Sequence, residues 1–375
     1  MTTSRTSTSP AITVRPRAGA DEGVDVAVED VRIAAPGPGQ VRVAIRATGV
    51  CHSDLHVVNG DWPADQPLVL GHEGAGVVEE VGPGVTGVTP GDHVVLSWFA
   101  PCMACANCAA GRGWLCTGTT ALANTLPDGS TPFTDADGGP LWPYLGLGTF
   151  GSHVVVPETA AIRVDDELPF TVGALLGCSV TTGVGAVLNT ARVPAGSSAV
   201  VVCCGGVGLS IVMGLRLAGA HPIVAVDLSA DKRATALELG ADVVLDPRET
   251  DTAAHLQEQV GGVDFAFEAI GNARVIETLP GMLAPGGAAV LVGMPLMGAR
   301  SSIDPYELAD QGKSILGCNY GSSVARVDVP RLARLYLAGR LPLDRLIDTV
   351  RPLAEAPQAL DELASGTGLR SILTP

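Results

Sequence analysis

Residues 198–227 read SAVVVCCGGVGLSIVMGLRLAGAHPIVAVD, and this run commits a large part of the chain to one architecture. A short apolar strand pattern enters a glycine-rich turn, continues as an apolar helix, and returns as a second apolar strand ending on Asp227. Two buried strands joined through a helix lie parallel, and a parallel sheet is covered by helices on both faces. The run is therefore the opening βαβ of a doubly wound sheet of the dinucleotide-binding kind. Gly205, Gly206, Val207 and Gly208 make the turn, with Cys203 where the usual G-x-G-x-x-G has its first glycine. Glycines there let the backbone approach a pyrophosphate whose charge sits on the helix N-terminus. Asp227 is placed to accept from the adenosine ribose hydroxyls and to repel a 2′-phosphate, favouring NAD over NADP. The alternation repeats through ADVVLD, VDFAFEAIG, GAAVLVGMP and SILGCNYG, which completes a six-strand parallel sheet ending near Gly321.

The N-terminal part has a different period. Residues 11–48 alternate apolar and polar with Gly/Pro breaks, and VVEEVGPGV and GDHVVLSW continue the pattern, so a twisted, barrel-like all-β unit is expected. The first ten residues, MTTSRTSTSP, read as a disordered tail without a targeting pattern, which points to the cytoplasm. A length of 375 residues calls for two domains. No apolar run approaches the ~18 residues of a membrane span. The net charge of −16 argues against nucleic acid or an anionic membrane as partner, since both need a basic face.

Two clusters carry metal-binding chemistry. Residues 101–116, PCMACANCAAGRGWLC, space Cys102, Cys105, Cys108 and Cys116 by two, two and seven residues. One loop can wrap a tetrahedral ion at such spacing, and four thiolates close its coordination, as in a structural zinc; an iron–sulfur cluster is the competing occupant. Residues 49–73, GVCHSDLHVVNGDWPADQPLVLGHE, gather Cys51, His52, Ser53, Asp54, His56, His72 and Glu73. Soft or borderline ligands beside acids that can orient an imidazole are what a zinc site needs. With nine cysteines and no secretion signal, metal or catalysis is the better reading than disulfides. Cys178, in LPFTVGALLGCSVTTGVG, taken alone is an ordinary buried thiol.

C-H-S-D-x-H followed by G-H-E-G-x-G resembles the zinc-dependent alcohol dehydrogenases of the medium-chain dehydrogenase/reductase superfamily, in their longer-looped, dimeric form, from about Pro10 to Pro375. The resemblance implies an α/β protein. A GroES-like β-barrel catalytic domain would take residues 11–182 and 323–375, with a structural zinc lobe at about 100–117, after the tail of 1–10. A Rossmann domain would take 183–322. It implies two zinc ions per chain, the catalytic one held by Cys51, His72 and Cys178, with Asp54 and Glu73 behind them, one orienting His72. Ser53 and His56 would relay the alcohol proton to solvent. His52 and Arg370 would meet the pyrophosphate and Lys232 the adenosine ribose, with Thr182, Val292 and Met294 as further cofactor contacts. Trp62, Trp98, Tyr144, Leu145 and Met294, with Asn319 further out, would wall the substrate pocket.

The implied activity is hydride transfer between a primary alcohol, ionised on the zinc, and NAD, in a homodimer paired through SILGCN and the loop 117–148. Two other readings stay open. One is a thiol-adduct (mycothiol-type) formaldehyde dehydrogenase, although glutathione-using members carry an acid and an Arg where this chain has Trp62 and Thr120. The other is a non-catalytic zinc-binding or redox-sensing protein on the same fold.

Overall fold

The structure, a computed structural model, describes residues 7–17 and 23–375. β1 (Ser7–Pro16) and β2 (Val24–Ile33) pair antiparallel from Ser7↔Ile33 to Pro16↔Val24. The expected tail of 1–10 is thus corrected over residues 7–10, which belong to β1 because its ladder with β2 runs on to Ser7. The rest of that expectation, residues 1–6, lies outside the described residues.

β3 (Gln40–Gly49) leads into α1 (His52–Val58), and then β4 (Leu68–Val69), β5 (Glu73–Val81) and β6 (His93–Leu96) follow. A one-turn helix, α2 (Ala106–Ala109), lies in the cysteine lobe. The stretch 117–148, expected as a long loop, contains two short strands, β7 (Phe133–Thr134) and β8 (Pro140–Pro143). They close a barrel in the order β1-β2-β7-β8-β4. β9 (His153–Pro157), β10 (Ala161–Arg163) and α3 (Phe170–Leu176) end this part of the chain.

α4 (Ser179–Gly185) opens the nucleotide-binding unit, followed by β11 (Ala199–Val202), α5 (Gly206–Ala218), β12 (Ile223–Val226), α6 (Ala230–Leu239) and β13 (Val243–Leu245). α7 (Thr252–Val260), β14 (Val263–Glu268), α8 (Ala273–Met282), β15 (Leu283–Leu291), α9 (Pro305–Asp310) and β16 (Ser314–Gly317) complete it. Its strands pair in parallel in the order β13-β12-β11-β14-β15-β16. β11 sits mid-sheet and is buried at all four positions, as a β-branched run covered on both faces must be. Successive strands leave β11 first on one side and then on the other. The order therefore reverses between β11 and β14, and such a switch point is where parallel sheets bind ligands, at the strands' carboxyl ends.

The C-terminal part of the chain holds two helices and two strands: α10 (Ala325–Leu337), β17 (Ile347–Pro352), α11 (Ala356–Ala364) and β18 (Arg370–Thr374). β18 pairs with β3 and carries β17 on its other side, within a sheet ordered β10-β6-β5-β3-β18-β17, with β9 also on β3. The last residues therefore end beside the strand that leads to Cys51, with Ile372 opposite Gly49. β1 packs on both of its faces. Its neighbours Ala11 and Ile12 point to opposite faces, each into a separate cluster of buried aliphatic and aromatic side chains.

The chain divides into two compact units. One runs through Cys178 and takes Val324–Gly339 and Ile347–Pro375, and the other is Ser179–Ser323 with Arg340–Leu346. The joints expected after 182 and 322 fall after 178 and 323, because α4 packs on α5. Among the described residues no single helix is long and apolar enough to cross a membrane.

Candidate metal centres and nucleotide site

The first centre is built where β3, α1 and β5 meet. Cys51 is the N-cap of α1, and its backbone N–H donates to Asp54 Oδ2 at 3.1 Å. The other oxygen of Asp54 accepts from the Gly71 backbone at 3.1 Å and lies 3.2 Å from His72 Nδ1. One fully buried carboxylate thus ties the start of the helix to the segment entering β5 and fixes the ring of His72. Cys178, beyond α3, completes the group. The donor atoms of Cys51, His72, Glu73 and Cys178 all lie within 4.8 Å of one another.

This donor set fits a zinc ion. With Nδ1 committed to Asp54, His72 presents Nε2, which is buried and takes no hydrogen bond from the described residues. Burial works to make His72 less basic, but Asp54 and then Cys51 outweigh it and raise the imidazole's pKa well above its ordinary value. The Cys51 thiol is pushed well down, first by its hydrogen bond with Cys178 and then by His72, against burial. Two thiols and an imidazole within reach of one point are the donor types that zinc takes. Burial pushes Glu73 up to about 7, although Arg370 is paired with its Oε2. Its Oε1 has no partner among the described residues. The sequence reading set Glu73 behind the ligands; the geometry gives it the reach of a fourth donor.

The second centre is the loop of Cys102, Cys105, Cys108 and Cys116, whose sulfurs also lie within 4.8 Å of one another. Cys105 Sγ and Cys116 Sγ are 3.9 Å apart, and a tetrahedron with ~2.3 Å zinc–sulfur bonds has edges of about 3.8 Å. Backbone N–H groups turn inward onto the sulfurs, Cys102 donating to Cys116 and Cys105 to Cys102. Such bonds, from Cys108 and Thr117, hold the Cys105 thiol down to about 5, while burial pushes Cys108 up to about 12. No residue of α2 is buried, so the lobe has little apolar core to hold it without an ion.

In the second unit the glycine-rich turn opens α5. Cys203, in the place of the first glycine, has φ +84°, a conformation that side chains avoid and that costs on the order of 1 kcal/mol or more. The turn has kept its shape and carries the strain. Gly208 has no such latitude, because a Cβ there would stand 1.8 Å from the Cys203 carbonyl oxygen. Asp227, just past β12, accepts from Cys204 N–H at 2.7 Å and from Ser229 N–H at 2.8 Å, so the acid is fixed against the turn. Lys232 lies one turn into α6, where its backbone N–H donates to Ser229 Oγ. Glu268, at the end of β14, accepts from Ile270, Gly271 and Asn272 N–H. Its backbone carbonyl accepts from Val292 and Gly293. In the sequence Glu268 shows only as an acid inside the apolar run VDFAFEAIG.

The remaining expected residues divide between the units. Ser53 is half-buried, with Oγ 3.8 Å from Cys51 Sγ, and its carbonyl accepts from the buried Tyr144 hydroxyl at 2.8 Å. Tyr144 meets His72 edge-on at 5.7 Å, Leu145 follows it at φ +51°, and Trp98 packs against both clusters of the barrel unit. His52 is exposed at the start of α1. Trp62, expected as a pocket wall, is stacked on His56 at 4.8 Å. Arg370, expected to meet the pyrophosphate, is only 5% exposed and pairs with Glu73, a partner 297 residues away that the sequence could not single out. Thr182, Val292, Met294 and Asn319 belong to the second unit, where Met294 is exposed and Val292 is buried.

Comparison with known proteins bears on both units. The family model for the alcohol dehydrogenase GroES-like domain matches residues 37–166, and that for the zinc-binding dehydrogenases matches 206–338. The chain is 37% identical over 367 residues to the S-(hydroxymethyl)glutathione dehydrogenase of Paracoccus denitrificans, covering 94% of this chain and 97% of that one. It is also 37% identical over 366 residues to the class-3 alcohol dehydrogenase of Cereibacter sphaeroides, at the same coverages of 94% and 97%. Among solved structures, an alcohol dehydrogenase zinc-binding domain protein from Burkholderia ambifaria superposes with TM-score 0.93 at 39% identity, over 99% of each chain. The benzyl alcohol dehydrogenase of Acinetobacter calcoaceticus superposes with TM-score 0.89 at 31% identity, over 98% of this chain and 99% of that one.

Proposed function

The chain belongs to the zinc-dependent medium-chain alcohol dehydrogenases, oxidoreductases with a GroES-like and a Rossmann-like domain, and on that premise we propose that it interconverts primary alcohols and aldehydes with NAD. The observation that carries this reading is the trio Cys51, His72 and Cys178, the first two buried and Cys178 half-buried, with His72 Nε2 left without a partner among the described residues. Bound there, zinc supplies Lewis-acid polarisation of the substrate oxygen, and the nicotinamide supplies the hydride acceptor.

The chain's own residues do the rest. Asp54 orients His72 through Nδ1, and Arg370 offsets the charge of Glu73 beneath the ligands. Ser53 Oγ takes the alcohol proton, and His56 passes it outward to water. Asp227, held by two backbone N–H groups, accepts from the adenosine ribose. The cysteine lobe holds the second zinc, which is structural. β16 is an edge strand of its sheet, and we place the homodimer contact there; a monomer by light scattering at micromolar concentration would refute that contact.

Substrate shape follows from the rings. Tyr144 is buried against His72 and Trp98 is half-buried in the same unit. Large rings beside the reacting oxygen leave little room for a second carbon on the reacting centre, while their faces stack well on an apolar tail. Benzyl alcohol or hexanol should therefore exceed 2-propanol and cyclohexanol in kcat/KM with NAD. Trp98→Ala should shift that ratio toward the secondary alcohols by about tenfold, the scale of added space in a pocket. Secondary alcohols winning in the wild type would count against this placement of both rings.

Oxidation of a thiol adduct of formaldehyde is the second reading, and the name of the Paracoccus relative speaks for it. Against glutathione stand Trp62 and Thr120, where glutathione-using members carry an acid and an Arg.

A further inference from the structure

His56 lies in the last turn of α1, and the chain folds back on it just beyond the helix. Trp62 N–H donates to the His56 carbonyl at 3.1 Å, which sets the return. The return brings two side chains onto the imidazole. Asp61 Oδ2 lies 2.8 Å from Nδ1, and the Trp62 indole is stacked on the ring at 4.8 Å with 27° between the planes. Ring and carboxylate are partly open, with 22% and 31% of their side chains exposed. Nε2 takes no hydrogen bond from the described residues.

A carboxylate at Nδ1 settles which nitrogen carries the hydrogen. Asp61, as an acceptor, holds the Nδ1–H tautomer, and the lone pair is left on Nε2. We propose that Asp61 is a positioning residue for proton transfer, fixing His56 so that Nε2 receives the proton from the relay and releases it to water. While the ring carries that proton it is a cation, and the Asp61 carboxylate and the Trp62 face both stabilise a cation. No electrons move in this step, and one proton enters and leaves at Nε2. The sequence signal is short, a carboxylate and an indole five and six positions past the histidine in HVVNGDW. This role rests on the relay reading of His56 and adds a residue to it.

The test is a double-mutant cycle on the zinc-loaded enzyme with benzyl alcohol and NAD. Asp61→Asn and Asp61→Ala should each lower kcat about tenfold, the scale for partners that orient a working imidazole. KM and melting temperature should stay near the wild-type values, and a solvent deuterium effect on kcat should appear as proton transfer becomes limiting. Asp61→Glu, which restores a carboxylate, should recover most of the rate. In a His56→Gln background, removing Asp61 should cost nothing more. Equal losses in both backgrounds, or no loss in the wild type, would overturn the role of Asp61 and leave the relay standing. A His56→Gln enzyme as fast as the wild type would overturn the relay itself, and Asp61 with it.

Discussion

Cys51→Ala or Cys178→Ala will leave a folded protein that holds one zinc per chain in place of two, with kcat lowered by at least ~10³, the scale of losing Lewis-acid stabilisation of developing charge. The fold should survive because Cys51 lies between β3 and α1 and Cys178 just past α3, elements held by the β3–β5 ladder, the packing of α3 on both strands and the buried apolar cluster beside α1. Cys105→Ala or Cys116→Ala should do the reverse. Their lobe has no buried residue in its helix, so losing the ion removes the closure of the loop. We expect the melting temperature to fall by about 5 °C or more, corresponding to a loss of roughly 2 kcal/mol in a domain of this size. Residual turnover should be measurable. Metal analysis and thermal unfolding on the same four variants separate the two roles. Full activity in pure protein carrying one zinc or none would overturn the assignment.

Asp227→Gly should erode cofactor preference by ~10²–10³, since a carboxylate facing a 2′-phosphate costs about 3–4 kcal/mol at protein-surface dielectric. Two effects combine. The variant loses the acceptor for the ribose hydroxyls, so kcat/KM with NAD should fall. It also loses the repulsion, and two guanidiniums stand close behind. Arg233 donates to the carbonyls of Asp227 and Leu228, and Arg248 donates to that of Leu228. Both pair with the buried Asp246, whose carboxyl they hold well below its usual range, Arg248 most strongly. A phosphate arriving without Asp227 in its way would find positive charge, so NADP should gain in absolute terms. The measurement is the ratio of kcat/KM for the two cofactors in wild type and variant. Equal use of NADP by the wild type would mean that Asp227 does not face the ribose.

Trp62 shows how far reading by position reaches. Its place in the chain suggested a pocket wall, while its contact with His56 depends on how tightly the segment after α1 turns back. β4 and β7, two residues each, show the same limit for the fold. A pair of residues has no period to detect, yet both strands are needed to close the barrel.

The sequence by itself determined what short spacing can encode. It carried the cysteine loop at 102–116, the βαβ that ends on Asp227, the alternation of the barrel strands, and the ligands on either side of α1. Each is a local arrangement in which a few residues fix one another's geometry. Only the tertiary structure decided which distant groups share a site. It brought Arg370 to Glu73 by pairing β18 with β3, and it set Cys178 beside Cys51 and His72. It aimed both oxygens of Asp54 at three different partners. The physical reason is that a buried charge must be met by whatever the packing places next to it, and packing is set by the whole sheet, not by neighbours in sequence.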